Sequence, residues 1–251
     1  KVLGNEDWPA ELFLFASDSK EGLLKILTYW ENSLLSEISV SLKDLAFISY
    51  SEIRGKNKKI RLSITAVSLD NLLEAVQRVI KKLTEDEQLL LPPQISLNLN
   101  SKKKGKIGFV FPGQGSQYIN MGLENSLYIR EIREAIQIAD SELDREIELS
   151  KIIFPEASYS EQTSDLNQQR LQATQNAQPA IGAISLGYLN FLKSLKVERN
   201  SVAGHSYGEF TALYSSGVLN LEDFLKVSAK RGAIMASGCE IEGSMAVVSA
   251  T

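Results

Sequence analysis

Ser206 sits in the run Val202-Ala203-Gly204-His205-Ser206-Tyr207-Gly208-Glu209-Phe210, an apolar stretch that breaks into Gly-x-Ser-x-Gly and then reads as a helix. A serine at so tight a strand-to-helix turn is pushed out of the backbone. Its Oγ is exposed, and the following N–H groups face the place where an oxyanion would form. Gly204 and Gly208 are expected to be glycine for steric reasons, since a side chain at either would strike the neighbouring strand or helix. The same five residues also suit an ordinary Gly- and Ser-containing turn into a helix.

Two further features carry chemistry. Ile107-Gly108-Phe109-Val110-Phe111 reads as a buried strand that stops at Pro112 and opens into Gly113-Gln114-Gly115-Ser116-Gln117. That loop lacks the Lys-Ser/Thr ending of a P-loop and the spacing of a dinucleotide fingerprint, so it reads either as a plain tight turn or as a second source of oxyanion-hole N–H groups. The second feature is Arg231, which falls on an apolar helical stripe with Phe224, Val227, Ser228 and Met235, while Asp223, Lys226, Lys230 and Ser237 trace the wet face. A guanidinium on an inward face needs an anion, because an unpaired buried charge is costly. A structural salt bridge and a bidentate clamp for a substrate carboxylate both satisfy that need.

The elements that must position these residues follow from periodicity. Residues 11–16 read as a buried strand, and Leu23, Leu27, Trp30 and Leu34 recur at helical spacing. Residues 42–53 read as a short helix, and Ile60 to Ala66 alternates as a half-buried strand. Leu72, Val76, Val79 and Leu83 then mark a helix with Asp70 as its cap. A small α/β domain is therefore expected over roughly 10–83. Residues 84–106, with Pro92-Pro93 and a lysine run at 102–106, read as a connector. The two basic runs, 54–59 and 102–106, could attract an acidic partner protein, but solvated loop lysines are the commoner explanation.

Further on, Ile129, Ile132, Ile136, Ala139 and Leu143 line one helix face that Ser126 could cap, and residues 155–170 read as polar and irregular. Pro179 suits the first turn of a helix whose Ile181, Ile184, Tyr188, Leu192 and Leu195 face inward, and that helix leads to the strand before Ser206. Asn220 and Asp223 form a capping arrangement for the helix that carries Arg231. Strands at 107–111 and 201–205 separated by helices predict a parallel α/β sheet with the site at the strands' carboxyl ends.

Composition excludes several classes. The 251 residues are 43% apolar, and 27 basic against 31 acidic residues leave a net charge of −4, which gives no electrostatic case for nucleic acid as a partner. No apolar run approaches the ~18 residues of a membrane span, and Lys1 to Ala10 lacks the order of a signal peptide, so a soluble, cytoplasmic protein with no membrane partner is expected. The single cysteine, Cys239, rules out an internal disulfide and reads as a buried or inert thiol; no metal site is expected. The chain starts at Lys1 without methionine, and Met245–Val248 reads as a strand in progress, so a piece of something longer is expected.

Taken together, the 109–117 run, Gln178-Pro179-Ala180, Gly204-His205-Ser206-Tyr207-Gly208-Glu209 and Arg231-Gly232 resemble the acyltransferase domain of polyketide and fatty acid synthases, of the malonyl-CoA:acyl carrier protein transacylase kind. The joint match is far more specific than any one motif. Within it, residues 174–183 are most similar to iterative polyunsaturated-fatty-acid and heterocyst-glycolipid type synthases. The resemblance covers about 107–251. It implies residues 1–104 as the α/β linker between a ketosynthase and its acyltransferase, and 105–251 as the N-terminal portion of an α/β-hydrolase-like acyltransferase core whose ferredoxin-like subdomain is only begun. It further implies Ser206 as the nucleophile, Gln114 and Tyr207 as backbone oxyanion-hole donors, and Arg231 as the partner of a malonyl carboxylate. No cofactor is implied: acyl-CoA is the substrate, and the phosphopantetheine sits on a partner acyl carrier protein. The neighbouring ketosynthase of the same polypeptide is a second partner, in a parent synthase expected to be homodimeric.

One departure from the family matters. The family activates its serine with a histidine well downstream, whereas this chain has only His205, which is expected to pack beneath the turn with Gly204, Gly208, Gly113 and Gly115 as motif-supporting neighbours. The isolated chain is therefore expected to be inactive. Two rivals remain: a generic serine esterase, which shares Gly-x-Ser-x-Gly, and a non-catalytic acyltransferase remnant that serves as a docking scaffold.

Overall fold

The computed structural model describes residues 8–36, 39–85, 88–99, 105–143, 145–158 and 160–237. Cys239, Lys102–Lys104 and the strand expected at Met245–Val248 lie outside them. Contacts divide the chain between Lys104 and Gly105 into two compact units.

The first unit runs β1 (Glu11–Ser17), α1 (Lys20–Leu35), α2 (Leu42–Ile53), β2 (Ile60–Ala66), α3 (Leu69–Thr84) and β3 (Ile95–Asn98), with an antiparallel sheet in the order β1-β2-β3. The register sets Phe13 opposite Ile64 and Phe15 opposite Leu62, so one face of the sheet is apolar. Trp30 meets Phe13 and Phe15 edge-on at 6.1 and 5.2 Å, and the three rings are the centre of this core. Ser19 and Ser41 cap α1 and α2. Ser49 of α2 accepts a hydrogen bond from Leu14 N–H at 3.1 Å and donates to Ala46 O, so α2 covers the edge of β1 that β2 leaves open.

Two expectations here are corrected. Asp70 lies in the first turn of α3 without capping it; Ser68 is the cap and accepts from Asn71 N–H at 3.1 Å, while Asn71 Oδ1 takes Val67 N–H in return. The presumed connector contains β3, because Ile95 is buried and Leu97 half-buried against the sheet once Pro92 O has turned the chain by accepting from Ile95 N–H.

The second unit continues β4 (Gly108–Phe111), α4 (Leu123–Tyr128), α5 (Arg130–Glu142), α6 (Leu149–Ile153), α7 (Glu161–Gln172), α8 (Thr174–Ser194), β5 (Ser201–Gly204), α9 (Gly208–Ser216) and α10 (Leu221–Ser237). β4 and β5 pair in parallel, with Phe111 opposite Gly204. α8 is the central helix, packed between α5 and α10, and its residues from Asn176 to Ile184 are all buried. Ile132, Ile136 and Ala139 of α5 form the facing stripe.

Three readings change. Ser126 lies within α4 and Ile129 stands at the start of α5, so Ser126 is not its cap. Residues 161–172 form a helix, not an irregular stretch; its polar sequence shows no stripe because only Leu171 is buried, and the Ser160 hydroxyl starts it by accepting from Thr163 N–H. Pro179 stands inside α8, whose first residue is Thr174. On that helix Leu186 and Leu189 are buried, whereas Tyr188 is 36% and Leu195 57% exposed, because the helix leaves the core toward its C-terminus. Among the described residues no helix is long and apolar enough to cross a membrane.

Candidate active site

The site grows from the ends of β4 and β5. β5 ends at Gly204, Ser206 takes φ +54°, and Tyr207 opens α9. A serine in the left-handed region is strained, and here the turn is held from several sides. His205 N–H donates to Phe111 O at 3.3 Å, and Gly208 N–H donates to His205 O at 2.9 Å. A Cβ on Gly204 would stand 2.1 Å from the carbonyl carbon of Gly208, and one on Gly208 would stand 2.2 Å from Phe111 O. Strand and helix therefore approach more closely than any side chain at these positions permits.

The glycine-rich loop meets this turn directly. A Cβ on Gly113 would lie 2.4 Å from His205 O and 3.3 Å from the Ser206 Cβ. Within the loop, Ser116 Oγ donates to Gly113 O at 2.8 Å, Gly115 takes φ +105°, and its N–H donates to Gln117 Oε1 at 2.8 Å. The Gln114 side chain is held from α8: its Nε2 donates to Thr174 Oγ1 at 3.1 Å, and its Oε1 accepts from the wholly buried Gln178 at 3.2 Å. The side chain of Gln114 is thus fastened to α8, in the loop whose Gly113 meets the turn of Ser206.

Below the elbow, the side chain of Tyr207 is fully buried, and burial pushes its phenol well above the usual range. Its hydroxyl meets Ser228 Oγ at 2.6 Å, and Ser228 in turn donates to Phe224 O at 2.7 Å, which makes the phenol the donor. Tyr207 thus ties the elbow to α10. Asn220 accepts from Asp223 N–H at 2.8 Å and starts that helix as expected.

Arg231, one turn beyond Ser228, lies with its guanidinium carbon 5.5 Å over the ring of Phe210 on α9. No carboxylate among the described residues pairs with it, and its Nη1 is buried without a hydrogen-bond partner. Of the two sequence readings for this charge, the structural salt bridge finds no partner among the described residues.

His205 is a correction. Its side chain is exposed and does not pack beneath the turn, because the space there is taken by Tyr207. Among the described residues no group of three or more His, Cys, Asp or Glu could hold a metal ion. An apolar cavity of about 440 Å³ lies between β4 and α8, lined by Val110, Ile184, Tyr188 and Leu192 among others, and does not include Ser206. Sequence reasoning missed Thr174 and the side chain of Tyr207, whose partners Gln114 and Ser228 lie 60 and 21 residues away in sequence, so no local pattern marks either contact.

A parallel strand pair feeding a strained serine into a helix places the second unit among α/β proteins built around a nucleophile elbow. Residues 108–251 match the acyl transferase domain family, and the chain belongs to that family.

Its relatives agree. The chain is 35% identical over 144 residues to the malonyl CoA-acyl carrier protein transacylase of Bacillus subtilis, covering 57% of this chain and 42% of that one. It is 32% identical over 235 residues to the hybrid PKS-NRPS synthetase xenE of Xenoacremonium sinensis, covering 88% of this chain and 5% of that one. Among solved structures, the acyl transferase domain of ZmaA is similar with a TM-score of 0.75 at 25% identity, over 94% of this chain and 50% of that one. The chain spans under half of the transacylase, half of the solved domain and a small part of the synthetase.

Proposed function

We propose that this chain is the serine-bearing part of an acyltransferase that moves a malonyl-type acyl group from CoA to the phosphopantetheine thiol of an acyl carrier protein within a synthase. The observation that carries the reading is the contact of Gly113, at the head of the Gly113–Gln117 loop, with the turn of the strained Ser206, since acyl-transfer sites on such elbows commonly take their second oxyanion donor from another strand's loop.

The reaction has two halves. Ser206 Oγ attacks the thioester carbonyl, an O–C bond forms, the C–S bond breaks and CoA leaves as its thiol. The carrier thiol then attacks the acyl-serine ester and the serine hydroxyl is restored. The N–H groups of Gln114 and Tyr207 would hold the oxyanion, each worth about 3 kcal/mol in the transition state. Arg231 would take the free carboxylate, which fits a guanidinium that has no carboxylate partner among the described residues. The resemblance assigns the base to a histidine that this sequence does not contain.

Residues 1–104 are proposed as the linker that follows a ketosynthase. The relation to the synthetase extends over 235 residues, that to the transacylase over 144, which fits a first unit belonging to synthases. A plain esterase has no use for an inward arginine that finds no carboxylate partner among the described residues, which counts against that rival.

The test is intact-mass analysis of the parent polypeptide after mixing with malonyl-CoA. A malonyl adduct that disappears in Ser206→Ala is expected; an undiminished adduct on that variant would move the nucleophile elsewhere, and no adduct on either would support the scaffold remnant.

A further inference from the structure

Pro179 has no N–H, so the carbonyl of Gln175, one turn earlier in α8, lacks its helical donor. Arg145, in the stretch between α5 and α6, supplies one: its Nη1 donates to Gln175 O at 3.1 Å. Its Nη2 donates to Asn176 Oδ1, and Asn176 Nδ2 donates to Arg170 O at 2.7 Å in the last turn of α7. Arg145 has no carboxylate in ion-pair reach among the described residues, and its Nε is buried without a partner. Burial also lowers its pKa. A guanidinium taken partly out of water, with no ion pair among the described residues and only the more distant charge of Asp140 in its favour, and committed to one backbone carbonyl and one amide, is holding something in place.

What it holds touches the candidate site from two sides. Thr174 and Gln178, either side of Gln175, are the two residues bonded to the Gln114 side chain. On the opposite side, a Cβ on Gly232 would lie 2.8 Å from Thr174 O and 3.0 Å from Gln175 Cα, so the residue after Arg231 is pressed on the same turn. A shift of the first turn of α8 would displace the oxyanion loop and α10 together.

We infer that Arg145 is a positioning residue for acyl transfer, holding the proline-broken first turn of α8 so that Thr174 and Gln178 fix Gln114 beside Ser206. The inference rests on the functional reading above.

The experiment is a double-mutant cycle with Pro179→Ala, which returns an N–H to position 179 and so gives Gln175 O its helical donor. Amide hydrogen exchange on this chain is read at Gly115 and Ser116, both bonded within the loop, and at residues 177 and 178. Arg145→Met should speed exchange there about tenfold or more while β1 to β3 exchange as before, and Arg145→Met with Pro179→Ala should restore most of the protection. In the parent polypeptide, single-turnover acylation by malonyl-CoA should fall about tenfold in Arg145→Met at an unchanged half-saturating concentration, and recover with Pro179→Ala. Should Arg145→Met not fold, Arg145→Lys, which keeps one donor group, takes its place, with a smaller loss and the same rescue. Unchanged exchange at Gly115 and Ser116, or a loss that Pro179→Ala does not repair, overturns the inference. A wild-type protein that takes no acyl group overturns the functional reading instead, and the exchange cycle still decides whether Arg145 holds the loop.

Discussion

The phenol of Tyr207 donates to Ser228 Oγ across 2.6 Å inside the second unit, so the residue after the candidate nucleophile is bonded to the helix that carries Arg231. The two partners are not equivalent. Ser228→Ala leaves a fully buried phenol without this acceptor and should cost about 1–3 kcal/mol, whereas Tyr207→Phe leaves Ser228 its bond to Phe224 O and should cost about 1 kcal/mol. Urea unfolding of the two variants checks the order; equal losses would mean that the bond does not carry the difference.

The elbow should store strain that its sequence cannot relieve. Gly204→Ala would drive a methyl into the backbone of Gly208 and should cost about 3 kcal/mol or more. Ser206→Gly, in contrast, relieves a positive φ and should be more stable than Ser206→Ala by about 1 kcal/mol. Denaturant midpoints of the three variants measure this, and a destabilised Ser206→Gly would show the turn to be unstrained.

The role proposed for Arg231 as partner of a substrate carboxylate and a purely structural role lead to opposite outcomes. With no carboxylate partner among the described residues, Arg231→Ala should change stability by no more than about 1 kcal/mol, the scale of its contact with Phe210. It should lower the malonyl-to-acetyl loading ratio of the parent polypeptide by roughly thirty- to a thousand-fold, and Arg231→Lys should recover only part, because an ammonium lacks the planar fork. An unchanged ratio with a lowered thermal midpoint would make the arginine structural.

In the first unit, Lys58 lies 2.5 Å from Asp18, and this hydrogen bond holds the Asp18 carboxyl below the usual carboxylate range. A depressed folded-state pKa means stability that is present above the unfolded value and is lost as pH falls through the folded one. The pair is exposed, so the effect should be small and should fade with salt. Lys58→Met should raise the Asp18 titration midpoint in an NMR pH series and flatten the acid-side loss of stability; an unmoved midpoint would show that the ion pair does not persist in solution.

What the sequence determined by itself were features written in local spacing. Alternation placed β2 at Ile60–Ala66, helical stripes placed α1 and α3, and Gly-x-Ser-x-Gly with a glycine-rich loop after an earlier strand marked the residues that now lie in contact. Such signals survive in one dimension because periodicity and tight-turn sterics act over a few neighbours. Other features were decided only by packing. The polar α7 shows no stripe because a single leucine is enough to anchor it; His205 turned outward because Tyr207 fills the space beneath the elbow; and Arg231 lacks a carboxylate partner among the described residues. Arg145 reaches Gln175, thirty residues away, to satisfy a carbonyl that Pro179 orphaned. No local pattern announces that bond, because the donor and the vacancy it fills belong to segments that only the folded core brings together.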